Sequence, residues 1–230
     1  MTDRSSESLV AAAKETLIAG IAASGGQVWL ACSFSLEDVA IIDIAHHAGI
    51  PLRIFALDTG RLNEETYEVA DALVERYHLP IAWYFPQHGA VEQLERADGL
   101  FSFRESLEKR HVCCGIRKVE PLSRALHGVS GWVTGMRREQ SITRTDLVSF
   151  GPDDLNGGII KINPLLEWRE ADLLAYTESR RLPKNRLYNQ GYRSIGCAPC
   201  TRAVEAGEDA RAGRWWWENP EHKECGLHRR

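Results

Sequence analysis

Between residues 27 and 86 the chain alternates strand-length apolar runs with longer helical patterns, and that alternation restricts the fold more than any other feature. "QVWLACSF" (27–34), "LRIFALDTG" (52–60) and "IAWYFP" (81–86) read as strands, the first of them buried. "LEDVAIIDIAHHAG" (36–49) and "NEETYEVADALVERYH" (63–78) between them carry the apolar spacing of helices. A helical crossover between successive strands brings them back parallel, so the expected fold class is α/β, a mostly parallel sheet with helices on both faces. Ligands bind such sheets at the carboxyl ends of the strands. Here those ends are "ACSFSLED", "ALDTGR" and, after the later strand "GWVTGM" (131–136), "VTGMRRE". Their Ser, Gly, Thr, Asp and Arg content suits a nucleotide-like ligand, although the same residues also make ordinary turns.

Upstream, "ESLVAAAKETLIAGIAAS" (7–24) reads as a helix ending at Gly25-Gly26. Downstream, "RKVEPLSRALHG" (117–128) is helical, and "INPLLEW" (162–168) leads into the helix "READLLAYTESRR" (169–181). From Ala203 the character changes to a highly charged segment with Trp215, Trp216 and Trp217 in its middle, read as a tail anchored by those aromatics. At 230 residues the chain has room for one domain with an appendage. No apolar run approaches the roughly 20 residues of a membrane span and no leader pattern opens it, so a cytoplasmic location is expected. A net charge of −4 argues against a nucleic-acid binder. It leaves room for a local basic pocket for a small anion, with Arg137, Arg138, Arg144, Arg211 and Arg214 as candidates.

In a reducing compartment the six cysteines are metal ligands or reactive thiols rather than a disulfide framework. Cys32, inside an apolar strand, is a core residue. Cys113-Cys114 and the C-x-x-C of Cys197 and Cys200 offer four thiolates from two distant segments. Zinc ligands normally stand two to four residues apart so that the backbone can wrap one small ion. Adjacent cysteines suit a multi-iron cluster better, because it takes ligands onto separate irons; a structural zinc stays as the alternative. Lys118, four residues beyond Cys114 and on the same helix face, would bring positive charge to the cluster, or would be an ordinary solvated lysine. Cys225, beside Glu224, His228, Arg229 and Arg230, has the charged surroundings of a thiol meant to react.

Taken together, "SFSLED", "LDTGR", "CCGIRKVEPL", "TGMRREQSITR", "GCAPCT" and "GRWWWENPEHKECGLH" resemble the phosphoadenylyl-sulfate (PAPS) reductase family over nearly the whole chain. The double cysteine with C-x-x-C and the terminal E-C-G-L-H are similar to its iron–sulfur branch, the assimilatory adenylyl-sulfate (APS) reductases. The resemblance implies a Rossmann-like, adenine nucleotide alpha-hydrolase-like sheet. Residues 1–202 would form the nucleotide-binding body and residues 203–230 the tail with the catalytic cysteine. It further implies one [4Fe–4S] cluster per subunit on Cys113, Cys114, Cys197 and Cys200, APS as substrate, thioredoxin as electron donor, and a homo-oligomer. Cys225 would be the nucleophile that takes up the sulfonate as S-sulfocysteine. Ser33 and Ser35 would meet the phosphosulfate or ribose, Leu57 and Gly135 would bound the adenine, and Lys118 and Arg144 would face the anion. Arg211 and Arg214, three apart and on one face if the tail is helical there, would close over it. PAPS or both nucleotides as substrate is the nearest alternative. An ATP-using adenylating enzyme for RNA thiolation is a remote one, because residues 33–38 lack the glycines of an S-G-G-x-D-S loop. A non-enzymatic cluster-bearing sensor would leave both the nucleotide-like loops and Cys225 without a use.

Overall fold

The computed structural model describes residues 5–140 and 147–219. Contacts divide the chain into two compact units, neither continuous in sequence: Met1–Ala56, Val69–Ala82 and Gly128–Lys184 in the first, Leu57–Glu68, Trp83–His127 and Asn185–Arg230 in the second. Among the described residues no helix is long and apolar enough to cross a membrane.

The expected alternation is present. Strands β1 (Val28–Cys32), β2 (Arg53–Leu57), β3 (Ile81–Tyr84), β4 (Gly131–Val133), β5 (Phe150–Asp153) and β6 (Ile159–Ile162) form one sheet in the order β3-β2-β1-β4-β6-β5. β1 pairs in parallel with both β2 and β4, β4 pairs in parallel with β6, and β5 runs antiparallel to β6. The chain builds outward from β1 to β3, then returns to place β4 on the other side of β1. The loops after β1 and β4 therefore meet at the point where strand order reverses, the position at which open α/β sheets bind ligands.

In the first unit, α1 (Ser6–Ser24) starts with Ser5 Oγ accepting from Ser8 N and stops at Gly25, whose φ of 66° lies in the left-handed region. It packs so closely on β6 that a Cβ at Gly20 would stand 2.7 Å from Ile162 Cγ1. α2 (Leu36–His47) is buried on every side from Leu36 to Ala45, as a helix at the centre of a core must be. Buried inside it, Asp43 accepts hydrogen bonds from Tyr77 (2.8 Å), Tyr176 (2.5 Å) and Arg180 Nε (3.1 Å), so the charge is compensated where it sits. α3 (Glu64–Tyr77) is the second crossover, and α7 (Glu170–Ser179) packs against α2. Cys32 is buried as expected, and burial pushes its thiol well above the usual range.

The second unit contains α4 (His88–Asp98), α5 (Leu107–Cys114) and α6 (Glu120–Ala125). The helix expected from residue 117 is not a separate element. α5 runs straight into a single π-type turn, Gly115–Val119, and that turn runs into α6.

Candidate active site

At the switch point in the first unit, the loop leaving β1 wraps around one carboxylate. Ser33 donates to Asp38 Oδ2 from its backbone N (2.6 Å) and its hydroxyl (2.7 Å), and Ser35 Oγ adds a third bond at 3.3 Å. Between the serines, Phe34 adopts φ 64°, a left-handed conformation that glycine takes without cost and a bulky side chain does not. The glycine-free loop thus keeps a turn of the kind a glycine would favour, with the Phe34 ring buried. Burial pushes the Asp38 carboxyl up to about 6, against the hydrogen bonds from Ser33 and Ser35 and with the Glu37 charge adding to it. Ser35 occupies the N-cap position of α2 without capping it by its side chain. Gly135, after β4, lies where a Cβ would meet Glu37 Cβ at 2.6 Å and Asp38 Oδ1 at 2.7 Å. Only a glycine lets the β4 loop approach α2 this closely.

Two arginines named as candidates for an anion pocket are engaged in ion pairs. Arg137 pairs with Glu37 (2.9 Å) and Glu139 (3.2 Å), and Arg138 with Glu167 (2.8 Å). Gln140 also donates to Glu37 at 2.8 Å. The RRE sequence therefore fastens the β4 loop and is not a bare anion patch. Arg144 lies outside the described residues.

In the second unit the four central cysteines converge. Cys113, Cys114, Cys197 and Cys200 line one recess together with Arg61, Phe103, Arg110, Arg117, Lys118 and Trp215. α5 begins at Ser106, whose hydroxyl accepts from Lys109 N, and delivers the cysteine pair at its last turn. Adjacent residues of a regular α-helix diverge by about 100°, and here the widened turn at Gly115–Val119 follows directly. Cys113, Cys114, Arg117 and Lys118 consequently share one recess; the simple same-face spacing expected for Lys118 is replaced by π geometry. Cys197 and Cys200 flank a short 3₁₀ turn closed by Cys200 N donating to Cys197 O at 2.9 Å. Thr59 Oγ1 stands 3.2 Å from Cys197 Sγ.

Around the thiols lies a partly buried polar frame that the sequence alone does not announce. Arg117 donates to Thr59 O (2.7 Å) and Glu95 (2.6 Å), and Arg61 donates to the same Glu95 oxygen at 2.9 Å. Arg110, fully buried, donates from Nε to Glu218 at 2.6 Å and lays its guanidinium 4.4 Å from the Trp215 ring centroid. In the "LDTGR" turn, Asp58 accepts from Gly60 N (2.7 Å) and the Tyr67 hydroxyl (2.8 Å), just after Leu57 at the end of β2.

The four thiols form a donor set of the kind a metal centre takes. Burial raises the Cys113 thiol against the pull of Arg117 and Arg61. Cys200 is pushed up to about 12 by burial and by Cys197, with Lys118 opposing and Cys114 and Cys113 adding. Thiols crowded in this way ionise when a metal core supplies positive charge. Among the described residues, no three His, Cys, Asp or Glu side chains converge closely enough to hold one metal ion. A [4Fe–4S] core on four thiolates carries a net charge of about −2, which suits walls built from Arg61, Arg117 and Lys118.

Among the described residues, the segment after Ala203 is not helical. Residues 210–217 form successive turns around a bridge between Arg214 and Thr201, so Arg211 and Arg214 do not share a helix face. A glycine at 213 allows the chain to pass directly over the Arg202 carbonyl, a path closed to a helix. Arg214 is buried, stacks on Trp215 at 4.7 Å, and approaches Ser194 Oγ (3.4 Å) and Ile195 O (3.3 Å), while its Nε has no partner among the described residues. Trp215 N donates to Cys200 O at 3.0 Å, and Trp217 packs with Leu94, Phe103 and Cys113. Trp215 and Trp217 thus anchor this segment as the aromatic run suggests, while Trp216 is 37% exposed. Cys225 lies outside the described residues.

The model of the phosphoadenosine phosphosulfate reductase domain matches residues 27–203. The chain belongs to the phosphoadenosine phosphosulfate reductase family. Among its relatives in the family, an adenosine 5'-phosphosulfate reductase of Allochromatium vinosum is 51% identical over 200 residues, spanning 87% of this chain and 78% of that one. One of the same name from Burkholderia cepacia is 49% identical over 214 residues, 93% of this chain and 85% of the other. A solved PAPS reductase of Candida auris superposes with a TM-score of 0.70 at 24% identity, covering 89% of this chain and 98% of its own. Yeast FAD synthetase shares the fold at 0.60 and 13% identity, over 88% and 70% of the two chains. The likeness to the solved structures establishes the reductase-family architecture and nothing finer; the fold alone also serves adenylyl transfer.

Proposed function

We propose that the chain reduces adenylyl sulfate to sulfite and AMP, using a dithiol protein of the thioredoxin type as electron donor. The observation that carries this is the four-cysteine recess walled by Arg61, Arg117 and Lys118, with the Trp215 segment that leads toward Cys225 hydrogen-bonded to Cys200. The names and identities of the family relatives support it.

The chemistry balances with this chain's own thiol. The Cys225 thiolate attacks the sulfur of the phosphosulfate, the S–O bond to phosphate breaks, and AMP leaves with that electron pair. A donor thiolate then attacks the Cys225 sulfur of the S-sulfocysteine and expels sulfite, forming a mixed disulfide. The second donor thiolate resolves it, returning Cys225 and an oxidised donor. The two electrons that take sulfur from sulfate to sulfite oxidation state come from that dithiol.

Ser33 and Ser35, held around Asp38 at the uncapped start of α2, would orient the phosphosulfate or ribose, with Leu57 and Gly135 bounding the adenine. Lys118, Arg144, Arg211 and Arg214 would neutralise the anion. A [4Fe–4S] cluster on Cys113, Cys114, Cys197 and Cys200, when bound, would cross-link two chain segments and tune the local electrostatics.

Mass spectrometry of the Cys225 peptide after anaerobic incubation with APS, and separately with PAPS, without any donor protein, tests the reading. One SO3 group gained from APS and absent in Cys225→Ser is the expected result. The same gain from both nucleotides would make the enzyme dual-specific, and no gain from either would sink the proposal.

A further inference from the structure

Four aromatic rings of the second unit gather around a single exposed guanidinium. Arg104 CZ stands 5.1 Å from the ring centroid of Phe101, 5.4 Å from Trp216, 5.5 Å from Trp217 and 5.6 Å from Phe103. Its Nη2 also donates to Pro199 O at 2.9 Å, inside the Cys197–Cys200 turn. Phe103 is buried, but Phe101 is 56% exposed, its neighbour Leu100 58%, and Trp216 37%. A side chain of this size left in water next to an ordered arginine is the composition of an interface centre: aromatic residues and Arg are the types that dominate binding energy where proteins meet. Nothing in the core needs these three exposed side chains, since Phe103 and Trp217 already fill the contact with Leu94 and Cys113.

Covalent geometry puts the surface within reach of Cys225. Cys225 is eight residues beyond Trp217, so it is never more than about 29 Å from it, at most about 3.6 Å per residue. Whatever attacks the sulfur of Cys225 must seat itself within that tether of Trp216 and Trp217. We propose that Leu100, Phe101 and Trp216, held in place by Arg104, are the docking surface for the dithiol donor, a small protein whose reactive cysteines are framed by apolar surface. The inference rests on the function proposed above, because only there does a second protein have to reach Cys225.

The test separates the donor-dependent half-reaction from the rest. Phe101→Ser, Trp216→Ala and the pair Leu100→Ser/Phe101→Ser are compared with the native protein at equal iron content. The first measurement is SO3 transfer from APS to Cys225 without reductant, the second is sulfite release by dithiothreitol, and the third is kcat/KM for reduced thioredoxin. The expected result is a loss of about tenfold or more in kcat/KM for thioredoxin, with SO3 transfer and release by dithiothreitol unchanged. Thioredoxin kinetics within about twofold of native in all three variants would overturn the proposal. So would a loss of the same size in the dithiothreitol arm, or a change of oligomeric state with thioredoxin kinetics intact, which would assign the patch to self-association. A native protein that takes no SO3 onto Cys225 overturns the underlying function as well, and that result appears before any thioredoxin is added.

Discussion

Burial pushes the Asp38 carboxyl up to about 6, while Ser33 and Ser35 hold it in place with three hydrogen bonds, all to Oδ2. The folded protein therefore keeps the Asp38 proton to near pH 6, whereas the unfolded chain releases it near the ordinary value of 3.8. Between those values the folded state binds more protons, so this group makes stability fall as pH rises through that window. Asp38→Asn can place its carbonyl oxygen where Oδ2 stands, keep all three bonds and lose the ionisation. The melting temperature of the variant relative to native should accordingly rise between pH 4 and pH 6, as thermal denaturation followed by circular dichroism would show; a constant difference would mean that Asp38 titrates normally. The S-F-S-L-E-D string announced serines at a strand end, but not that the carboxylate five residues after Ser33 organises them. That dependence comes from burial, which a single sequence does not display.

Elements were legible where their hydrophobic period was strong, and less so where a functional geometry departs from it. β1, β2, β3, α1, α2 and α3 stand within a few residues of their expected ranges. β5 (Phe150–Asp153) contains Gly and Pro, residues that do not announce a strand, and it holds its place as an edge strand by pairing with β6. The π turn after Cys114 carries no period of its own, yet it places Lys118 and Arg117 on the recess. Arg61, Arg110, Arg117 and Glu95 were missed as a frame because arginines read from sequence look solvated; only their convergence from separate segments shows Arg110 and Arg117 to be buried and Arg61 and Glu95 to be partly so. The β4 loop offers a direct test at this scale. Gly135→Ala forces the loop away from α2 and should cost about 1–3 kcal/mol, a fall in melting temperature of roughly 2–12 °C at about 2–4 °C per kcal/mol for a chain of this size. Thermal melts would reveal it, and an unchanged midpoint would mean that the close approach to Glu37 and Asp38 can relax freely.

At the scale of the molecule, the family was legible because its motifs are local strings, but the division into two interleaved units was not, since it depends on contacts among residues far apart in sequence. The second unit gathers three chain segments, and the cysteine pairs come from two of them. A cluster bound there would cross-link α5 to the Cys197–Cys200 turn, so removing the iron with a chelator should raise hydrogen exchange in residues 107–119 and 195–201. α1 and α2 of the first unit should keep their protection. Exchange mapped by mass spectrometry would show this, and uniform loss of protection throughout would mean that the units unfold as one block.

The same interleaving imposes an order in time. Cys197 leaves the ribosome 83 residues after Cys114, a delay of roughly 4–17 s at about 5–20 residues per second. For that interval Cys113 and Cys114 of every new chain have no second pair to share a metal with. A cluster of the proposed kind would therefore be completed only after synthesis of the body of the chain, and a nascent chain stalled before residue 197 would carry its adjacent thiols without that protection.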